Sequence, residues 1–366
     1  MRIKTSFKRT GERGIAVFIV LISVAVLGGM AAIFSMQMKV ETKLAMNSSN
    51  ENDMEWLGRS GVELACYVLA MEKKQPGPGQ RFTTLNQKWA GGDADTNELL
   101  MSIQMKDVPC GDGKYSVTIK DAESKLNINT AAFNPAMMNE ALIVMGTDAS
   151  EIPGIIASIE DWIDPDDQTH PNGAESEYYG TLNPPYAAKN GPIDDLSELL
   201  LVKGITPELY WGPSYTNHSP GIFQSRNPLA RGGVIPIASL VSAGLVDVFT
   251  PISEGHLNIN TCSALELRMI GMDESTANHV IALRQGPSGN DGGLDSVPFN
   301  NPGEINNVGG IPPQLVQTFI QYLTVDSFTF EVQVDVEIAQ SRRTYHAVVR
   351  RNGTDPHLKI LSFRWD

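Results

Sequence analysis

The chain has 366 residues, 42% of them hydrophobic, which is length for two or three domains and apolar material for ordinary cores, and this argues against wholesale disorder. A formal charge of −14 argues against nucleic acid as a general partner, because phosphates would be repelled. Three cysteines (Cys66, Cys110, Cys262) are too few for a disulfide scaffold, and none stands in a Cys-x-x-Cys zinc spacing.

The first fourteen residues carry Arg2, Lys4, Lys8, Arg9 and Arg13 against the single acid Glu12. Twenty uncharged residues follow, Ile15 to Phe34, enough to cross a bilayer as a helix with the basic cluster held on the cytoplasmic side. An ordinary signal peptide cleaved within Gly28 to Ala32 is one reading. Against it, the helical pattern runs on without a proline to Pro76, and Leu57, Gly61, Leu64, Val68 and Met71 recur at three- and four-residue steps as one apolar stripe. "QPGPG" (Gln75 to Gly79) stops it. The spacing therefore predicts one helix over 15–74, roughly 90 Å long at 1.5 Å per residue.

"KYSVTIK" (Lys114 to Lys120) reads as a strand. Near the C-terminus "FTFEVQVDVEI" (Phe328 to Ile338) alternates strictly, as a half-buried antiparallel strand does. Strands over Tyr345 to Arg351 and Leu358 to Trp365 follow, with a turn at Asn352-Gly353. The expectation is a four-stranded sheet, split by roughly two hundred residues.

Those intervening residues contain a repeat. "LNINT" stands at Leu126 to Thr130 and again at Leu257 to Thr261. Each copy continues as helix, Gly-x-Asp (Gly146 to Asp148; Gly271 to Asp273), helix, insertion, short helix, Gly-Ile-x-Pro and helix. "NINT" is expected to fix a turn and cap the next helix through its Asn and Thr side chains.

The first insertion, Asp161 to Gly180, concentrates oxygen ligands. Laid on a twelve-residue calcium loop, it offers Asp164, Asp166, Gln168, the His170 carbonyl, Asn172 and Glu175 at positions one, three, five, seven, nine and twelve. Thr169 stands where that loop needs glycine, so this is no EF-hand. A solvated acidic loop is the plainer reading; a hard cation, calcium, is favoured because clustered carboxylates without lysines repel one another. Asp194 and Asp195 either approach the same region or cap the helix that follows. No His-x-x-x-His pair, Gly-x-Ser-x-Gly or phosphate loop occurs, so no constellation supports an enzyme.

Several of these features resemble a known family. "GERG" (Gly11 to Gly14) before "IAVFIVLIS" looks like the leader of a type IV pilin or pseudopilin. The resemblance implies cleavage by a prepilin peptidase between Gly14 and Ile15, a methylated new N-terminus and a retained apolar segment. Loss of the leader's net +4 would leave −18 on the mature chain. Most of that family has glutamate at the fifth mature position; Ile19 stands there, which suggests a subunit outside the repeating filament body. The helical units resemble helix-hairpin-helix domains, with Asp148 and Asp273 where a phosphate-binding hairpin has its second glycine, so helix capping is expected in place of DNA binding.

Together with "GAESEYYG" and "PPYAAKNGPIDDLSELL", these features look like the minor pseudopilin K family of type II secretion. The implied fold is α+β: a pilin-like long helix on an antiparallel sheet, with an inserted α-helical domain of two helix-hairpin-helix-like repeats. The boundaries are 1–14 leader, 15–74 helix, 75–121 first part of the sheet domain, 122–323 insert (repeats about 125–212 and 256–323) and 324–366 closing strands. The implied function is capping the tip of a periplasmic pseudopilus. Minor pseudopilins I and J would be met through the helix between Met36 and Lys74, its stripe included, beside other pseudopilins, the prepilin peptidase and the inner-membrane platform. A single inner-membrane span would leave the bulk of the chain periplasmic. A tip minor pilin or adhesin of a type IV pilus, and a DNA-uptake receptor, are the alternatives.

Overall fold

The computed structural model describes residues 12–73, 82–92, 98–212, 243–339, 341–352 and 355–365. Most of the leader and the "QPGPG" stop lie outside them. Helix α1 (Glu12–Lys73) is continuous over 62 residues. Its N-terminal part carries the one apolar stretch, among the described residues, long enough to cross a membrane, and none of that stretch is buried.

From Met54 onward α1 changes character. Met54, Leu57, Val62, Ala65, Val68 and Leu69 are buried against a sheet, with Leu64 and Met71 half-buried beside them. Gly61 lets the helix backbone approach that sheet closely, since a Cβ there would collide with the Val334 side chain. The sheet has five antiparallel strands in the order β1-β2-β7-β8-β9: β1 (Val108–Cys110), β2 (Gly113–Asp121), β7 (Thr329–Ile338), β8 (Ser341–Asn352) and β9 (Asp355–Trp365). In β7 the residues Phe330, Val332, Val334, Val336 and Ile338 face α1, so its alternation is that of a sheet with one face buried. The expected count was four strands. The fifth, β1, is three residues long and contains Pro109, which an edge position tolerates and which gives no alternating signal.

Between β2 and β7 the chain builds a second core from Leu126 to Leu323. Two short parallel ladders close it. In the first, β3 (Leu126–Asn127) pairs with β4 (Phe249–Thr250); in the second, β5 (Leu257–Asn258) pairs with β6 (Leu323–Thr324). Both "LNINT" copies begin with such a strand and repeat one hydrogen-bond pattern. The first Asn accepts from the backbone N–H two residues on, at 2.8 Å for Asn127 and 2.9 Å for Asn258. The second Asn grips a distant backbone with both ends of its amide: Asn129 holds Ile193 (2.7 and 3.0 Å), and Asn260 holds Phe299 (2.8 and 2.9 Å). Each pentapeptide thus ties the start of its unit to the segment after its insertion.

The helices within the units correspond as well. In the first, α4 (Pro135–Val144) ends at Gly146 and is followed by α5 (Ile152–Ile163). In the second, α9 (Ala264–Met269) ends at Gly271 and is followed by α10 (Glu274–Gln285). Gly146 and Gly271 both take positive φ, 81° and 101°. Asp273 caps α10, accepting from Thr276 N at 3.0 Å. Asp148 differs: it accepts from Ser150 N at 2.8 Å, in a turn ahead of α5.

The insert has a definite place on the sheet. Gly113, at the start of β2, lies against Leu57 of α1. At the other end of the sheet Asp326 pairs with Lys73, the last residue of α1. The chain leaves for the insert at Asp121 and returns at Ser327, so the insert stands at the end of the sheet farthest from the apolar span.

Candidate metal centre

Helix α5 buries Ile152, Ile155, Ile156, Ile159, Trp162 and Ile163. Asp161 sits on this same inward side, 0% exposed. Asp164 ends the helix, and the following loop returns along it. His170 meets Asp161 twice, its backbone N–H at 3.0 Å and its Nδ1 at 2.5 Å from Oδ1. At Gly173 the loop passes so near α5 that a Cβ would strike Asp161 Oδ2, so only glycine fits. Glu175 then stands just before the short helix α6 (Ser176–Tyr179), 2% exposed and making no side-chain capping bond.

Four carboxylate oxygens here are buried without a hydrogen-bond partner: Asp161 Oδ2, Asp164 Oδ1 and both oxygens of Glu175. Leaving such groups unsatisfied costs free energy that a bound cation offsets. Burial pushes the Glu175 carboxyl up to about 7, with the charges of Asp161, Asp164 and Asp167 adding to the rise. Burial raises Asp164 too, while the bond to Asp161 raises His170. Two groups have ligand atoms within 4.8 Å of one another: Asp161, Asp164 and His170, and Asp164, Asp166 and Glu175. The second offers only oxygen, which suits a hard cation.

The loop is braced from outside. Lys203 Nζ donates to the Gly173 carbonyl at 2.9 Å and lies over the Tyr178 ring. Asn190 Nδ2 donates to the Asp166 carbonyl at 2.9 Å and to Asp167 Oδ1 at 3.0 Å.

Of the residues expected from the calcium-loop register, Asp164, Asp166 and Glu175 come together. His170 joins by its ring; its carbonyl accepts from Gly173 N instead. Gln168 is exposed and donates its backbone N–H to Asp166, and the Asn172 carbonyl accepts from Lys203. Asp194 is elsewhere, its side chain 87% exposed and paired with Lys189 at 2.6 Å, while Asp195 caps the next helical turn. Asp161 was missed. Its only sequence signal is an acid on the apolar face of a helix.

The stripe expected to serve assembly is spent within the chain: Leu57, Gly61, Leu64, Val68 and Met71 all pack on its own sheet. Ile19 is exposed on the apolar span. On the solvent side of α1, Trp56 is 69% and Tyr67 48% exposed.

A family model described as "Type II secretion system (T2SS), protein K" matches residues 121–211, from the end of β2 through the whole candidate metal centre. The type II secretion system protein K of Pectobacterium carotovorum subsp. carotovorum is 23% identical over 352 residues, 91% of this chain and 90% of that protein. Over nine-tenths of its length the chain is thus similar to type II secretion system protein K. Protein K of Klebsiella pneumoniae is 27% identical over 210 residues, 54% of this chain and 60% of its own length. A solved chain from the GspK–GspI–GspJ complex of enterotoxigenic Escherichia coli superposes with a TM-score of 0.63 at 17% identity, covering 88% of this chain and 99% of that one. That likeness establishes the fold, long helix on antiparallel sheet. Protein K is a structural component of secretion, and the family is not one of enzymes.

Proposed function

We propose that this protein is a minor pseudopilin that caps the periplasmic pseudopilus and promotes its assembly for export of folded proteins across the outer membrane. The observation that carries the reading is the site of the insert. The described residues of the insert stand on the end of the sheet remote from the apolar span, where the next subunit of a growing filament would have to pack. A subunit so built terminates a stack.

In this reading the leader is cut between Gly14 and Ile15, the span enters the inner membrane with its basic end cytoplasmic, and the bulk of the chain is periplasmic. Minor pseudopilins I and J dock on the solvent side of α1, around Trp56 and Tyr67, because the opposite stripe is occupied. The two insert units are a helix-hairpin-helix-like scaffold without DNA function, their hairpins ending in Asp148 and Asp273. Calcium orders the first insertion through Asp161, Asp164, Asp166 and Glu175. The test of partnership is co-expression with I and J of the same operon and purification through a tag on this chain. A stable ternary complex is expected, weakened by Trp56→Ala with Tyr67→Ala; recovery of this chain alone would overturn the assignment.

A further inference from the structure

The neck joining insert to sheet is built around two adjacent buried carboxyl groups, Asp121 and Glu123, 6% and 1% exposed. Asp121 Oδ2 accepts from Thr261 Oγ1 (2.5 Å), Ser327 Oγ (2.6 Å) and Asn258 Nδ2 (3.3 Å), and so binds the second "LNINT" unit to the returning strand. Its Oδ1 accepts from Glu123 N at 2.9 Å. The Glu123 carboxyl receives Glu254 N at 3.3 Å, from the linker between the two units. It also receives Thr329 N at 3.1 Å, where β7 begins. The two carboxyl groups hold residues two apart on the returning chain, Ser327 and Thr329, and so lie close together. Every chain crossing between the two bodies therefore converges on this pair.

Neighbouring charges bond elsewhere, although the Arg351 guanidinium feels the charges of both carboxyls. Arg351 lies over the Phe330 ring and donates to the carbonyls of Leu69 and Ser327. Lys73 pairs with Asp326, and Arg350 with Glu254 at 2.7 Å. Glu72 of α1 takes the Trp89 N–H, and Glu266 of the second unit takes Ser263. Cys262 beside them is a buried thiol pushed up to about 12. Lys125 donates to the Val246 carbonyl, and Lys120 and Glu331 are cross-strand partners on the outer face. His256 is exposed on the linker. Among the described residues no lysine or arginine forms an ion pair with Asp121 or Glu123.

We propose that Asp121 and Glu123 share a single proton, and that this proton locks the insert onto the sheet, so that its loss in mildly alkaline conditions loosens the neck. One protonated carboxyl donates to its ionised neighbour, which keeps one buried charge in place of two. Burial and the charge of Asp121 push Glu123 up to about 8, and burial raises Asp121. The folded neck thus binds a proton that the unfolded chain releases near the ordinary carboxyl value. The stabilisation is full below that value and is lost as pH rises through about 8.

The test is hydrogen–deuterium exchange of the full-length chain in detergent between pH 6 and 9.5, with rates corrected for intrinsic base catalysis. Protection of the amides of Glu254, Phe328 and Thr329 should fall by about tenfold per pH unit up to a midpoint near 8 and level off above it, while β8 and α4 stay unchanged. Glu123→Gln keeps the acceptor but cannot titrate, and should flatten the profile; Asp121→Asn removes the neighbouring charge and should move the midpoint to lower pH. His256→Gln should change nothing. A flat wild-type profile, or a midpoint surviving in Glu123→Gln, overturns the proposal. Should Glu123→Gln fail to fold, an unmoved midpoint in Asp121→Asn overturns it instead.

Discussion

Calcium should stabilise the insert by an amount that melting can resolve. Two buried carboxylates, Asp161 and Glu175, and the half-buried Asp164 between them present unpartnered oxygens. An ion bound only by the folded form adds RT ln(1 + [L]/Kd). With a Kd of about 10⁻⁴ M, as for extracellular calcium modules, 10 mM calcium is a hundredfold excess and contributes about 2.7 kcal/mol. For a unit of roughly two hundred residues that corresponds to a rise in melting temperature of about 5–10 °C. Differential scanning calorimetry of the full-length protein in detergent, with calcium and with chelator, reads it directly. Asp161→Asn combined with Glu175→Gln keeps the shapes and removes two charges. The variant should lose the calcium shift, yet melt above the wild type in chelator, because the repulsion is gone. Equal wild-type melting temperatures in calcium and chelator would refute the reasoning, and the stretch would then be a solvated acidic loop.

Mass spectrometry of the N-terminus should give a mature chain starting at a methylated Ile15; a start near Ala32 would mean ordinary signal-peptide processing. Gly61→Ala should gain at most about 1 kcal/mol of helix propensity and lose about 1–3 kcal/mol to collision with Val334, a stiff β-branched side chain on a central strand. Net destabilisation in urea is expected, and a net gain would mean that helix and sheet separate easily. Ile19→Glu should insert into the membrane normally but enter the filament body, changing the neighbours captured by cross-linking; unchanged neighbours would make Ile19 a passive apolar residue.

What the sequence discloses follows how locally each feature is encoded. The long helix and strand β7 were legible because each keeps one period over many consecutive residues, 62 in α1 and ten in β7. Strand β1 was not, since three residues including a proline carry no period. The stripe on α1 was legible as a stripe but not as to its occupant: the same spacing serves a partner or the chain's own sheet, and only the approach of Gly61 to Val334 decides. At the candidate metal centre the calcium-loop register named Asp164, Asp166 and Glu175, whose carboxylate oxygens come together. It missed Asp161, which joins from the preceding helix because Gly173 brings the loop back. Asp194 was expected to approach the same region, and it pairs instead with Lys189 at 2.6 Å. The ladders β3–β4 and β5–β6 join two-residue strands across long stretches of chain, which no local pattern can report.

The central claim is that the chain terminates its filament. Photo-cross-linking residues placed one at a time at Trp56 on α1, and at Phe133 and Leu294 on the insert, all exposed, test it in cells assembling pseudopili. The account predicts adducts with another pseudopilin from Trp56 and none with the repeating subunit from Phe133 or Leu294. Efficient capture of the repeating subunit from the insert positions would place a subunit above this one and contradict the claim.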